Sequence, residues 1–269
     1  MSNKFDDLGN AEIFSTWCFN LEYKEIPNEV IDKLKLIFMD SLGLIFASRN
    51  EDYIKAIKKS FTDSGNCTVP GHLEKLCPSD AIVLNGTAIH GEDFDDTFEG
   101  TPVHVGSVMC SSLLTAAEYY KLKPKEILKG LAVGSELMCR LALVSPMAIH
   151  KQGFHPTAIL GAFGASIGIS KILKNSVLQT TSSLGIVGSM ASGIIEYLAE
   201  GTWKKRLHPG WAGASGWKSA HLGKNNFKGP RTVFEGKNGI FNSFADSKII
   251  PDFKKLTDDL GSYWHTNNL

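Results

Sequence analysis

One acidic stretch of the chain combines residue types that could carry out proton chemistry. In HGEDFDDTFEGTPVHVGS, which begins at His90, three carboxylates (Asp93, Asp95 and Asp96) are crowded together before His104. Like charges this close repel one another, and a solvated loop rarely needs so many acids beside aromatic rings. A carboxylate, a hydroxyl and an imidazole at one point can orient a small polar substrate and move a proton. The stretch is therefore the first candidate for a reaction site.

A helix is expected to lead into this acidic stretch. The preceding segment SDAIVLNGTAIHGEDF opens on a Ser79-Asp80 cap, and its apolar residues recur at helical spacing. If the helix continues through Asp96, then Asp93, Asp96 and Thr97 lie at positions i, i+3 and i+4 on one face. A Gly-Thr-Pro sequence then ends the helix, and the second histidine returns on the next segment.

Two other segments could attract an anionic substrate. His155 directly precedes a proline and so stands at a predicted helix N-terminus, where backbone amides attract negative charge. The run GTWKKRLHPGWAG gathers Lys204, Lys205, Arg206 and His208 in what we expect to be a basic loop. A helix cap and a solvated loop are the simpler interpretations of these two features. In a protein without net charge, the basic loop could equally grip carboxylates.

Metal and nucleotide sites are weakly supported by the sequence. Asp95-Asp96-x-x-Glu99 fits the DDxxE pattern with which helical isoprenoid synthases hold magnesium and a diphosphate, but no second metal motif follows on a later helix. The glycines of PTAILGAFGASIGISKIL lack the preceding strand of a dinucleotide site, and no Cys/His set has zinc spacing. We expect no metal and no organic cofactor, and a magnesium-dependent isoprenoid-type enzyme remains a distant alternative.

The elements that would position these residues are helical in nearly every long segment. PNEVIDKLKLIFMDSLGLIFAS repeats apolar or small residues at three- and four-residue steps: Val30, Leu34, Ile37, Ser41 and Ile45. KPKEILKGLAVGSELMCRLALVS follows the same design, with Ile127, Leu131, Leu137 and Leu141. Strand patterns are confined to short stretches near Cys67 and after Lys224. We expect an all-α domain, a multi-helix bundle of about ten helices.

Composition limits the possible partners and the compartment. The 269 residues are 43% hydrophobic and 21% charged, with 28 basic and 28 acidic side chains. This balance gives no electrostatic reason to expect nucleic acid or an anionic membrane as a partner. The start, MSNKFDDLGN, resembles neither a secretory signal nor a transit peptide, and the five cysteines form no CxxC pair. We expect a cytoplasmic protein with no membrane span.

Four stretches of the chain resemble the MmgE/PrpD family, which includes 2-methylcitrate dehydratases, cis-aconitate decarboxylases and iminodisuccinate epimerases. They are NGTAIHGEDFDDTFEGTPVH, KQGFHPTAILGAFGA, GIVGSMASGIIEYLAEGTWKKRLHPGWA and GPRTVFEGKNGIF. The stretches occur in the family's order and spacing across nearly the whole chain, so the set is more specific than any one of them.

The resemblance implies a fold, an activity and a set of site residues. It implies the family's helical domain at residues 1–250, with residues 251–269 as the truncated start of an α+β lid domain that is otherwise absent. It also implies a lyase, a dehydratase or decarboxylase, that acts without a cofactor on a small di- or tricarboxylate. The implied catalytic residues are Asp93, Thr97 and His104, and the implied substrate-binding residues are His155 and Lys205.

Two departures from the family keep a second hypothesis open. The FEGTPV sequence between Thr97 and His104 differs from the pattern that we associate with decarboxylases, so the substrate is not assumed. The expected absence of the lid leaves a catalytically incomplete helical dimerisation module as the alternative, with a separately encoded lid domain as a possible partner. In either case we expect a homodimer, because Gly/Ala-rich helical faces and the uncovered side of the site would expose apolar surface.

Overall fold

The computed structural model describes residues 8–269, and most of them belong to α-helices. One two-stranded antiparallel sheet joins β1 (Ser64–Thr68) to β2 (Lys75–Leu76), with an irregularity in its register. The all-α prediction is confirmed. No helix within residues 8–269 is long and apolar enough to cross a bilayer. The α-helices are α1 (Asn10–Asn20), α2 (Asn28–Ser48), α3 (Asp52–Ser60), α4 (Pro78–His90), α5 (Val105–Tyr120), α6 (Pro124–Val144), α7 (Ala148–Lys151), α8 (Pro156–Ile172), α9 (Val177–Val187), α10 (Tyr197–Glu200), α11 (Lys204–Lys224), α12 (Ile240–Phe244) and α13 (Lys254–Thr257).

Helix α8 lies at the centre of the bundle and packs against α5, α6 and α11. Its sequence is rich in glycine and alanine, and every residue of the helix except Lys171 is buried. A Cβ atom added to Gly134 of α6 would lie 2.6 Å from the carbonyl oxygen of Gly164, so the two backbones are nearly in contact. The glycines of α8 therefore allow close helix packing inside the protein.

The periodic pattern of α2 agrees with its packing. All five residues that the sequence pattern placed on one face are buried: Val30, Leu34, Ile37, Ser41 and Ile45. The 3.6-residue period alone was sufficient to identify this face, because α2 is amphipathic and packs on α4, α5 and α6 with one side only.

Two local predictions are wrong. Helix α4 ends at His90 and does not continue through Asp96, because Asp93 adopts the left-handed backbone conformation with a φ of 56°. The acidic residues therefore do not share a helix face. Lys205 does not lie on a loop. It belongs to the first turn of α11, which accommodates Pro209 inside the helix.

The segment 251–269 is held on α6 by a buried ion pair whose two partners, Glu136 and Arg140, both belong to that helix. Nε of Arg140 lies 2.7 Å from a carboxylate oxygen of Glu136, and both side chains are buried. The guanidinium also donates to the carbonyl oxygen of Asp258 at 2.6 Å, while the carboxylate accepts from the amide and the hydroxyl of Thr266. These bonds attach the segment to the helical bundle. The division at residue 250 stays a prediction.

Candidate active site

Three helix N-termini and one helix C-terminus meet at the acidic segment. His90 is the last residue of α4, His104 directly precedes α5, His155 directly precedes α8, and Lys205 lies in the first turn of α11. Helix α11 packs against both α4 and α8, and α5 packs against the same two helices. This packing brings together side chains from four distant parts of the chain.

Asp95 is the buried centre of the cluster. Its Oδ2 atom lies 2.9 Å from Nδ1 of His90, and its Oδ1 atom lies 3.4 Å from Nδ1 of His104. The two imidazole rings contact each other edge to face, with centroids 4.5 Å apart. Burial raises the pKa of Asp95, but hydrogen bonds from His104 and His90 outweigh it and hold the pKa below its usual range. The carboxylate is therefore ionised at neutral pH.

His104 is fixed on several sides. Its Nδ1 atom lies 3.1 Å from the carbonyl oxygen of Asp96 and 3.3 Å from the hydroxyl of Thr97. Its backbone N–H donates to the hydroxyl of Thr157 at 3.0 Å. Burial lowers the pKa of His104, but the hydrogen bond and the charge of Asp95 outweigh burial and raise the pKa above its usual value. His104 can therefore hold and release a proton near neutral pH.

Asp93 and Lys205 form an ion pair beside the histidines. The side chain of Asp93 is half exposed, and its Oδ1 atom also lies 3.8 Å from Nε2 of His90. The ammonium group is therefore placed at the exposed side of the cluster, and Asp93 is its one carboxylate partner among residues 8–269. An incoming carboxylate could replace Asp93 as the partner of this cation.

His155 and His208 form a second, buried histidine pair. Their Nδ1 atoms are 3.1 Å apart, and the ring of His155 lies 5.7 Å from that of His90. Burial, followed by the charge of His90, lowers the pKa of His155 well below its usual value. Burial, followed by the charge of Lys204, lowers the pKa of His208 to about 4. Both rings are neutral at pH 7, so His155 can contact a carboxylate as a hydrogen-bond donor but not as a cation.

The DDxxE pattern does not form a magnesium site of the isoprenoid type. The carboxylate of Asp96 accepts the backbone N–H groups of Val105 and Gly106 at 3.1 and 2.8 Å, and thereby caps α5. Burial and the charge of Asp95 raise the pKa of Asp96 to about 6. Glu99 is exposed. Since both aspartates are held by protein donors, the magnesium interpretation loses its ligands.

A transition-metal site is a separate possibility at the same place. One donor atom from each of His90, Asp95 and His104 lies within 4.8 Å of the others. However, Nδ1 of His104 also faces the carbonyl oxygen of Asp96, which can only accept a hydrogen bond. That nitrogen therefore carries a proton and has no lone pair for a metal. The contacts of Nδ1 with Asp95 are therefore hydrogen bonds rather than metal bonds.

The structure brings the sequence-predicted residues into one cluster: Asp93, Thr97, His104, His155 and Lys205. Their separate roles stay predictions. Sequence reasoning missed Asp95 and His90 as members of this site, although their five-residue spacing at a helix end was visible. It also gave no specific role to His208, which follows Lys205 by three residues and so lies one helical turn further along α11. Tyr197, whose ring lies 6.1 Å from that of His155, had no signal in the sequence.

Comparison with known proteins agrees with the resemblance seen in the sequence. A family model described as "MmgE/PrpD N-terminal domain" matches residues 12–251. The chain is 27% identical to the cis-aconitate decarboxylase-like protein oryM of Aspergillus oryzae over 94% of its own length and 55% of that protein. It is 28% identical to the human cis-aconitate decarboxylase over 94% of its own length and 57% of that protein. The cis-aconitate decarboxylase of Aspergillus terreus is 25% identical, with 54% of its length matched. The chain spans about half the length of these relatives.

Proposed function

Since this chain belongs to the MmgE/PrpD family, we propose that it acts as a lyase, a decarboxylase or dehydratase, on a small di- or tricarboxylate. The observation that carries this proposal is the convergence of three helix N-termini on the histidine cluster. His104 and His155 precede α5 and α8, and Lys205 lies in the first turn of α11. The carboxylate of Asp96 already occupies the first amides of α5. The partial positive charges at the N-termini of α8 and α11, together with the lysine, favour a ligand with several carboxylates.

The acid/base part of the reaction falls to His104 in this proposal. In a decarboxylation, the carbon–carbon bond to the leaving carboxylate breaks, its electron pair stays on the substrate, and protonated His104 supplies a proton. In a dehydration, neutral His104 removes a proton from carbon while an acid protonates the departing hydroxyl. Both need a group that changes protonation state near pH 7, and the raised pKa of His104 suits it to this task. Thr97 and Asp93 would orient the reacting group.

The remaining residues would bind the substrate. Lys205 would exchange Asp93 for a substrate carboxylate, which keeps the ammonium group paired throughout. His155, which is neutral, would donate one hydrogen bond. The relatives named as cis-aconitate decarboxylases make cis-aconitate the first substrate to test. The FEGTPV sequence before His104 keeps dehydration open.

A second candidate function is a helical module that binds a carboxylate or a partner without turnover. The observation that favours it is the exposed apolar side chains of Leu36, Met39 and Phe46 on α2, which a partner could cover. A separately encoded lid and a second copy of the chain are the proposed partners. All five cysteines are unpaired thiols, in keeping with the proposed reducing, cytoplasmic surroundings.

Calorimetric titration with cis-aconitate and related di- and tricarboxylates tests the proposal. We expect saturable binding by the chain and a loss of at least about tenfold in affinity for Lys205→Ala, because a charge-assisted contact is worth about 1.5–3 kcal/mol. Lys204→Ala, the adjacent residue, is the matched control and should bind as the wild type does. Binding with product formation supports the lyase, and binding without product supports the helical module. If no carboxylate binds, or if both lysine variants lose affinity equally, the proposed site is wrong.

A further inference from the structure

The shared carboxylate of Asp95 is the least expected feature of the cluster. It is 6% exposed, and within the described part of the chain its side-chain partners are the two imidazoles of His90 and His104. Neither a lysine nor an arginine pairs with it there, although Lys205 lies nearby on Asp93. Burying a carboxylate is costly unless it is hydrogen-bonded, so the two histidines must supply those bonds.

The geometry determines which nitrogen of each ring carries the proton. Nδ1 of His90 lies 3.0 and 2.9 Å from the two oxygens of Asp95, and an ionised carboxylate only accepts. Nδ1 of His104 faces Oδ1 of Asp95 and the carbonyl oxygen of Asp96, which also only accept. Both rings therefore have Nδ1–H. In its neutral form each ring then has its lone pair on Nε2.

We propose that Asp95 is a positioning residue that fixes His90 and, together with the carbonyl oxygen of Asp96, His104 in the Nδ1–H tautomer and so presents Nε2 of His104 as the proton-transferring atom. The inference deepens the proposed lyase function and rests on it for its consequence in catalysis. When Nε2 takes up a proton, the ring becomes an imidazolium beside the buried carboxylate, which stabilises the charge. Without Asp95, the carbonyl oxygen of Asp96 would still hold the Nδ1–H of His104, but the imidazolium would lose its buried counter-charge.

His90, the second histidine that contacts Asp95, differs from His104 in its surroundings. The side chain of His90 is fully buried, and its Nε2 atom has no hydrogen-bond partner within the described residues. That atom lies 3.8 Å from Oδ1 of Asp93. His104 is the more exposed ring, so it is the one placed to touch a substrate. His90 donates to the oxygens of Asp95 and so keeps the carboxylate oriented toward His104.

Several charged groups besides Asp95 shift the pKa of His104, and a titration of this ring reports the sum of their effects. Burial lowers its pKa, the carboxylates of Asp95 and Asp96 raise it, and the ammonium group of Lys205 lowers it. The ring of His90 packs directly against it. Replacing Asp95 by asparagine removes the largest favourable charge and leaves the opposing groups in place, so the pKa of His104 should fall.

Histidine side-chain nitrogen NMR tests the inference without any need for turnover. In long-range proton–nitrogen spectra of the wild-type chain, we expect His90 and His104 in the Nδ1–H form when neutral. We expect Asp95→Asn to lower the pKa of His104, because the negative charge is lost, and to release the Nδ1–H tautomer of His90, whose Nδ1 partners in the described residues are the two oxygens of Asp95. Asp52→Asn, an exposed carboxylate on α3, is the matched control and should change neither signal.

The kinetic readout separates positioning from substrate binding. If the chain is a lyase, Asp95→Asn should lower kcat by at least about a hundredfold with KM changed by less than about threefold, because only the proton-transferring group is disturbed. A wild-type spectrum with His104 in the Nε2–H form would overturn the inference whatever the activity, and it needs no variant to fold. Absence of turnover in the wild type would instead count against the lyase proposal and leave the NMR result as the test of Asp95.

Discussion

At the scale of single residues, the cluster contains two kinds of histidine. His104 has a pKa raised by Asp95, whereas the pKa values of His155 and His208 are lowered by burial. Burial likewise lowers the pKa of His90. One ring is thus prepared to exchange a proton, and the other three remain neutral although all four lie within one site. Sequence spacing alone could not reveal this division, because burial and neighbouring charges decide the protonation state.

The neutral pair of His155 and His208 should make the stability of the folded protein depend on pH. In the unfolded chain His208 takes up a proton near its ordinary pKa of 6.5, whereas in the folded chain it does so only near 4. Its contribution to stability is therefore present above pH 6.5 and is lost as the pH falls from 6.5 to about 4. At about 1.4 kcal/mol for each pKa unit, the loss is on the order of 2–3 kcal/mol.

Urea unfolding at pH 7 and pH 4.5 measures this loss. His208→Gln keeps a side-chain amide that can reach His155 but does not titrate. The wild type should lose more stability than this variant between the two pH values. Equal losses in the two proteins would show that His208 is not held neutral by the fold.

At the scale of elements, the site depends on how closely α4 and α11 cross. A Cβ atom added to Gly210 would lie 2.3 Å from the carbonyl oxygen of Val83, and one added to Gly86 would lie 2.5 Å from the Cα atom of Gly210. Helix α4 ends at His90, and α11 carries Lys205. Any separation of these helices therefore moves site residues apart.

Glycine substitutions test this crossing. Gly210→Ala should destabilise the protein by about 1–3 kcal/mol, because the backbone of α4 cannot yield as a flexible side chain would. It should also weaken carboxylate binding. Gly43→Ala on α2 is the control, since no atom lies within 4 Å of its added Cβ, and it should stabilise by about 0.5–1 kcal/mol. Similar effects of the two changes, measured by chemical unfolding, would contradict the close crossing.

Some features of the helices could be predicted from the sequence and others could not. The buried face of α2 followed from periodicity because nothing but packing decides it. The end of α4 could not be predicted in the same way. It depends on the left-handed conformation of Asp93, and the local sequence of acidic residues does not indicate that conformation. The helical start of α11 was missed for a related reason. The KKRLHPG run has loop composition, and its packing against α4 and α8 outweighs the presence of Pro209.

At the scale of the whole molecule, the expected homodimer needs a different basis from the one the sequence suggested. The Gly/Ala-rich face of α8 is buried inside the protein and cannot form an interface. Helix α2 instead exposes large apolar side chains at Leu36, Met39 and Phe46, which follow one another at spacings of three and seven residues along the same helix. Such a stripe is the kind of surface that a second copy could cover.

Light scattering tests self-association through this stripe. The wild type should show a mass of about twice 29.3 kDa at micromolar concentrations, and Met39→Lys should shift it toward the monomer. Leu73→Lys is the control, because Leu73 is fully exposed outside the stripe. A wild type that remains at 29.3 kDa at every concentration, or a Met39→Lys variant that is still a dimer, would contradict this prediction.

Proton NMR in heavy water can show whether His104 transfers a proton to or from a bound carboxylate substrate. Cis-aconitate and other small di- and tricarboxylates are incubated with the wild type and with His104→Ala, and both product formation and deuterium uptake are followed. We expect product or exchange with the wild type and a loss of at least about a hundredfold in His104→Ala, whose thermal unfolding midpoint stays nearly unchanged. Wild-type rates in His104→Ala, no reaction of any substrate with the wild type, or a large loss of stability in the variant would contradict it. The last of these results would mean that His104 is a structural cap of α5.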